Sequence, residues 1–580
     1  MVPASGMKIL LRKIVASGKP VAAFFLCLPL LAFGEPPRLV LQITVDQLRA
    51  DLPSRYYTRF GEGGFRYLYE NGIRFVDAQH AHANTETIVG HTTLATGAHP
   101  AMHGMIGNLW FDRETGFTTY NVEDARYPLL TAGSGVDKDQ EIDPTQRAAR
   151  SDGRSPAAIE VTTFADELRA SNGGQSRAVG VSVKDRGAIS MAGHSGTAYW
   201  FSKASGEFVT SRYYMDEYPA WVTRFNAGKP ASDYAGTAWT LLEPKEDYLF
   251  ADSDDRAWET DVGGFGRVFP HQYGNGSSPY FTTWLTLSPA GDRLVLDFAK
   301  QALVEEALGT DATTDYLSVS FSSTDYVGHV FGPSSLEAED NILNLDRRLA
   351  ELFAFVDETV GLEHTLIVLS ADHGGPDAPG YLKAMSIPAD YVDPDRWDSQ
   401  EAISRIKARF GIEGKLIETY EHPYIYFTTA VKQDPTIDLA QLESAVVQEV
   451  SAFSGVALAV SSSHLRTGDV PDTPIHRAML RNFHPRRSGD VFVVFRPNHF
   501  INDFDGLTVA STHGSPWPYD TSVPLVFAGH QIEPCTVEQR VWTVDVAPML
   551  ANYLDIKKPS GAIDAALSLA IPECVRANLK

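Results

Sequence analysis

Three observations predict an α/β fold built on a doubly wound, mostly parallel sheet with a smaller α+β cap insertion. Apolar, β-branched runs alternate with helix-length amphipathic stretches over 38–201. The alternation resumes with a helix over 292–308, a strand over 316–321, a helix over 336–360 and a strand over 365–369. It closes with a strand over 523–528 and a helix over 544–554. The core therefore divides into 35–201, 289–384 and 506–580. Between the first two lies 202–288, rich in Tyr, Trp, Gly and Asp, which reads as a decorated loop insertion. Between the last two lies 385–505, with its own helix over 439–453 and strands over 424–427 and 491–495, which reads as the cap.

The first 34 residues read as an export signal. Lys8, Arg12, Lys13 and Lys19 precede an apolar run over 21–33, and Ala32-Phe33-Gly34 offers small residues for cleavage before Glu35, with Met7 an alternative start. The run is too short for a membrane span, and Leu26-Cys27 is a poor context for lipid attachment, so no stable membrane anchor is expected. Removing four basic residues and no acids makes the formal charge of −24 four units more negative. That charge argues against a nucleic-acid binding surface or an anionic lipid partner, and the leader points to a periplasmic or secreted protein. Cys535 and Cys574 remain, an expected single disulfide in an exported chain. Oligomeric state is not legible.

Four acidic and histidine motifs carry the chemistry: Asp46, Asp325 with His329, Asp372 with His373, and His513. Three of them follow predicted strands, and ligands of open α/β sheets gather beyond the carboxyl ends of strands. Asp325 and His329 are four apart, so one helical turn directs both to one side. Asp372 and His373 are adjacent and reach a common ion only from a turn. Carboxylate with imidazole suits zinc better than calcium or magnesium. Singly, each Asp is an ordinary helix cap; jointly, they describe two metal sites. Thr87, in Asn84-Thr85-Glu86-Thr87-Ile88-Val89-Gly90-His91, lies at a helix start where an anion is favoured, a candidate nucleophile unless it is a chemically silent cap.

These residues resemble the alkaline phosphatase superfamily, in its branch of type I phosphodiesterase/nucleotide pyrophosphatase-like monoesterases that use threonine as nucleophile. The matching stretches are Ile43 to Arg49, Thr87 to His91, His103 to Asn108, Lys184 to Gly187, Ser323 to His329, Ser370 to Gly375 and Ser511 to Gly514, in family order along nearly the whole chain. The resemblance implies an alkaline phosphatase-like fold. It also implies two zinc ions, one held by Asp325, His329 and His513, the other by Asp46, Asp372 and His373 with Thr87 bridging toward it. Asn108, Lys184 and Arg186 would bind substrate. No separate magnesium ligand set is visible, and Lys184 would occupy comparable space.

Lys184-x-Arg186 follows a strand-like run over 178–183, so an extended end would send both side chains to one side, spaced to grip one anion. A phosphate monoester dianion offers three non-bridging oxygens and more charge than a diester, so the pair favours monoesters. Together the parts imply phosphate monoester hydrolysis through a phosphothreonine intermediate, with one zinc activating Thr87 and the other stabilising the leaving alkoxide. His80, His82, His91, His99 and His103 are expected to be hydrogen-bonded scaffold, and Asp252 to Asp255 a solvated acidic turn. Walker A, G-x-S-x-G, H-E-x-x-H and sulfatase-type Cys motifs are missing. Two other readings stay open: a nucleotide phosphodiesterase or pyrophosphatase, and a catalytically silent metal- or phosphate-binding protein.

Overall fold

A computed structural model describes residues 35–504 and 507–563. The expected leader and Cys574 lie outside the described residues; Cys535 is disulfide-bonded.

The strand Leu39–Val45 is buried along its whole length, as an LVLQITV run with apolar residues on both faces requires of a central strand. It pairs in parallel with Asp315–Phe321 on one side and Thr365–Ser370 on the other. Ala178–Ser182 and Thr197–Ser202 extend the sheet in parallel beyond Asp315–Phe321. Across the sheet the order is Cys535–Val537, Ile73–Gln79, Ser522–Gly529, Thr365–Ser370, Leu39–Val45, Asp315–Phe321, Ala178–Ser182, Thr197–Ser202, Glu207–Val209. Ser522–Gly529 runs antiparallel to both neighbours, and Glu207–Val209 closes one edge as an antiparallel hairpin. The sheet is thus mixed around a parallel centre.

Both faces are covered. Leu39, Leu41, Ile43 and Val45 belong to an apolar core with Leu294, Phe298, Leu349 and Phe353 from the helices Pro289–Glu305 and Leu336–Thr359. Val40, one residue out of phase, joins Leu94, Phe164 and Leu550 on the opposite face. The long helix starts at the cap Ser335, whose hydroxyl accepts the Ala338 N–H at 3.1 Å.

Within 202–288 the aromatic residues are not loose decoration: Trp239, Phe265, Tyr273 and Trp284 are buried in the main core. Within 385–505 a four-stranded antiparallel sheet runs Ile417–Glu421, Tyr424–Phe427, Val491–Phe495, Val456–Ser461. One face packs on Ile403, Ile406, Leu442 and Val446 of two helices. The other brings Tyr424, Tyr426 and Phe492 against Ile88, Val89 and Met105, and so against the helix that begins at Thr87. No helix among the described residues is long and apolar enough to cross a membrane.

Candidate metal and phosphate site

The four central parallel strands end at one edge, and the predicted residues come off those ends. Asp46 follows Val45 directly, and its N–H donates to Phe321 O at 2.8 Å. Asp325 and His329 lie in the helix Ser323–Phe331 that follows the strand ending at Phe321. Asp372 and His373 lie just beyond Ser370 in an irregular turn. His513 arrives from the loop ahead of Ser522–Gly529.

They converge. His329 Nε2 and His513 Nε2 each stand 3.3 Å from Asp325 Oδ1. His373 Nε2 stands 3.3 Å from Asp46 Oδ1 and 3.4 Å from Asp372 Oδ2. Ligand atoms of Asp325, His329 and His513 lie within 4.8 Å of one another, and so do those of Asp46, Asp325 and His373. Asp325 therefore touches both groups, a sharing that its distance in sequence from Asp46 conceals. Asp372 is steadied from outside: the N–H groups of Gln47 and His373 donate to its Oδ1 at 3.2 and 3.0 Å, and His91 Nδ1 lies 2.9 Å from its Oδ2.

The donor set fits divalent cations. Each metal-facing imidazole donates from Nδ1 to a main-chain carbonyl: His373 to Gly374 at 2.8 Å, His329 to Ser511 at 2.7 Å, His513 to Thr85 at 2.9 Å. That leaves each Nε2 lone pair facing a carboxylate, an arrangement that needs a proton or a cation between the partners. His373 Nε2, both Asp46 oxygens and Asp372 Oδ2 are buried with no aligned hydrogen-bond partner; the 2.7 Å approach of Lys184 Nζ to Asp46 Oδ2 is an ion pair outside that alignment. Burial opposes protonation of His373, but Asp372 and Asp46 outweigh it and push the ring up to about 9. Burial and the neighbouring His373 push His513 down to about 3. The two rings stack at 3.6 Å.

Thr87 is the first residue of the helix Thr87–Thr96, which ends at Gly97 in the left-handed region at φ 65°. Its hydroxyl caps nothing; it lies 3.4 Å from Arg186 Nη2. The helix is pressed onto the ligand turn at Gly90, where a Cβ would stand 1.8 Å from Asp372 O. Asn108 accepts the Ile88 N–H through Oδ1 at 3.2 Å, leaving its Nδ2 to donate. Its own N–H donates to Glu86 Oε2 at 2.9 Å.

Lys184 and Arg186 do not extend side by side. The chain turns into the helix Asp185–Ala192 immediately after Lys184, and the two side chains take different ion-pair partners while both stay close to Asp143. Lys184 is completely buried, ion-paired with Asp46 and Asp325, and lies 4.9 Å from the ring centroid of Tyr326, which lines the cleft. Burial lowers its pKa, but Asp325 and Asp46 prevail and hold the ammonium charged. Arg186 faces the cleft lined by Thr87, Asn108, His329 and His513, and pairs with Asp143 at 2.7 Å.

Three contributors escaped the sequence reading. Gln47, in the left-handed region at φ 65°, donates its side-chain amide to Asp325 Oδ1 at 2.9 Å. Glu86 seats Asn108, and Asp143, the cap of Pro144–Arg147, holds Arg186. Only the cap signal of Asp143-Pro144 was readable beforehand. Of the clustered histidines, His91 bonds Thr87 O at 3.0 Å and Ser320 Oγ at 2.9 Å, and His80 bonds Ala371 O at 3.1 Å. His82, by contrast, is buried with no partner at either ring nitrogen.

The chain is 32% identical over 537 residues to the alkaline phosphatase PhoV of Synechococcus elongatus, covering 92% of each protein. It is also 32% identical over 541 residues to the alkaline phosphatase PafA of Elizabethkingia meningoseptica, covering 92% of this chain and 94% of that one. The crystal structure of alkaline phosphatase PafA superimposes with a TM-score of 0.81 at 31% identity, over 91% of this chain and 98% of that chain. The family model for type I phosphodiesterase / nucleotide pyrophosphatase matches residues 40–167 and 190–516, and the chain belongs to that family.

Proposed function

We propose that this protein is a phosphomonoesterase of the alkaline phosphatase type, with two zinc ions at the paired ligand groups and Thr87 as nucleophile. One observation carries the reading: a helix-start hydroxyl 3.4 Å from a buried guanidinium, beside two clusters of carboxylates and imidazoles. When bound, the zinc ions supply Lewis acidity, lowering the Thr87 hydroxyl's pKa and stabilising the departing alkoxide.

The chain's own residues do the rest. Asp325, His329 and His513 hold one ion; Asp46, Asp372 and His373 hold the other. Thr87 Oγ1 forms the bond to phosphorus as the ester P–O bond breaks, and the resulting phosphothreonine is cleaved by water from the opposite side, returning the hydroxyl. Arg186 donates to non-bridging oxygens, with Asp143 fixing the fork. Asn108 adds Nδ2. The Ile88 N–H is taken by Asn108 and the Val89 and Gly90 N–H groups by Glu86 O, so the helix start contributes its dipole and the Thr87 N–H. Lys184 compensates Asp46 and Asp325 instead of touching the ester.

The phosphodiesterase reading draws support from the family's description. The comparison that decides is kcat/KM on matched monoester and diester substrates with metal analysis of the same sample. A monoester to diester ratio well above one supports the proposal; a ratio below one replaces it. The basic, then apolar start supports export to the periplasm or beyond; a mature protein beginning at Glu35 is the expected N-terminal sequence.

A further inference from the structure

The two ends of the cleft are built from different chemistry. Thr87, Asn108 and Arg186 stand at one end beside the ligand groups. Ile142 and Pro144 flank Asp143, the partner of Arg186, and an apolar wall of Val262, Val330 and Val509 lines the cleft with His329. Val330 directly follows His329 in the helix Ser323–Phe331, and both residues line the cleft. Val262 comes from the long segment that follows the edge hairpin, and it is held firmly. The Thr260 N–H donates to Val330 O at 2.9 Å, Thr260 Oγ1 donates to Thr508 O at 3.1 Å, and Val262 shares the main core with Phe331.

Among the described residues lining this cleft, Arg186 is the only Lys or Arg side chain, and Asp143 already pairs with it. Glu86 lines it too and is negative. An alcohol carrying a second phosphate or a carboxylate would lose hydration against valines with no counter-charge supplied. An uncharged apolar or aromatic alcohol would instead cover the part-exposed Ile142, Pro144 and Val509 and remove them from water. Resting on the phosphomonoesterase reading, we infer that the cleft selects monoesters of uncharged, apolar or aromatic alcohols and rejects monoesters whose alcohol bears a further anionic group.

Benzyl phosphate and 4-carboxybenzyl phosphate test this, because the carboxylate lies far from the reacting oxygen. The expected kcat/KM ratio favours benzyl phosphate by at least about tenfold, the scale on which an apolar pocket discriminates. Benzylphosphonate and 4-carboxybenzylphosphonate, as competitive inhibitors, should show the same order in Ki without any chemistry. Thr508→Lys places a cation at the exposed rim while keeping the main-chain oxygen that Thr260 uses, and should narrow both ratios several-fold. Ala408→Lys, an exposed residue on the helix Glu401–Phe410, makes the same change in net charge far from the cleft and should leave both ratios unchanged. Equal ratios in the wild type, or equal narrowing by both variants, would overturn the inference. A protein that turns over diesters and neither monoester would overturn the phosphomonoesterase reading instead, and the phosphonate Ki ratio would still decide the wall.

Discussion

The ligand end and the wall end of the cleft are held in contrasting ways. Asp46, Asp325, Asp372 and His373 are buried at the ends of adjoining parallel strands; Asp325 and Asp372 accept from fixed donors, His373 donates to a carbonyl, and Asp46 is held by the Lys184 ion pair. The wall comes from three separate excursions of the chain, around Ile142, Val262 and Val509, of which the last two are tied together by the Thr260 hydroxyl on Thr508 O. Charge and geometry are thus vested in the sheet, and shape in the insertions. Reaction chemistry should fail steeply and everywhere when the first is altered, whereas altering the second should change which substrate is favoured.

The largest effect tests the sheet end. Thr87→Ala is expected to lower monoester turnover by at least about 10⁴-fold, as loss of a covalent nucleophile does, and to remove the phosphorylated protein seen by mass spectrometry; Thr87→Ser keeps much of the activity. Phosphate trapped on another residue would break the assignment. Next, Asp325→Ala should reduce bound metal from about two ions per chain and activity by more than about a hundredfold, because Asp325 serves both groups. Elemental analysis that leaves both ions in place would show that the sharing is incidental.

A sharper cut separates Lys184 from Arg186. Arg186→Ala removes a charge-assisted contact of about 1.5–3 kcal/mol, roughly tenfold to over a hundredfold in kcat/KM, and should hurt monoesters more than diesters. Lys184→Ala breaks a buried ion pair, a change of about 3–5 kcal/mol, and should lower the Tm of metal-free protein while moving the monoester to diester ratio less. Equal shifts of the ratio in both variants would return Lys184 to the substrate. The smallest effect lies behind the wall. Burial and the nearby Glu337 push the Glu259 carboxyl from 4.5 up to about 8. Such a group is protonated in the fold and loses stability as pH rises through that value, so Glu259→Gln should raise Tm by a few degrees at about pH 9 and leave it unchanged at about pH 4.

The ligand residues were legible because each combines a local strand run with an acid or imidazole placed just past it. Leu39–Val45 followed by Asp46 and the four-residue step from Asp325 to His329 needed no tertiary information. The reach of Lys184 was not legible: its partners Asp46 and Asp325 come from other strands, and the switch from strand to helix at Asp185 gives it different ion-pair partners from Arg186. Asp143 and Val262 were hidden for another reason. Both sit in irregular chain, where no period links a residue to the surface it will face. The antiparallel course of Ser522–Gly529 likewise depends on a return path that a strand pattern does not encode.

Lys184 between Asp46 and Asp325 also fixes an electrical neutrality condition. The carboxylates of Asp46, Asp325 and Asp372 are opposed by a single ammonium, while Asp143 cancels Arg186. With two divalent ions bound and Thr87 still a hydroxyl, the ligand cluster, leaving aside the Glu86 carboxylate that also lines the cleft, would hold a surplus of two positive charges. A phosphate monoester dianion brings that surplus to zero; a diester monoanion leaves one charge uncompensated in a buried, weakly screened place. A third divalent ion in the ammonium's position would raise the surplus by one and move neutrality away from the dianion. One lysine thereby matches the empty site's charge to that of the ester it receives.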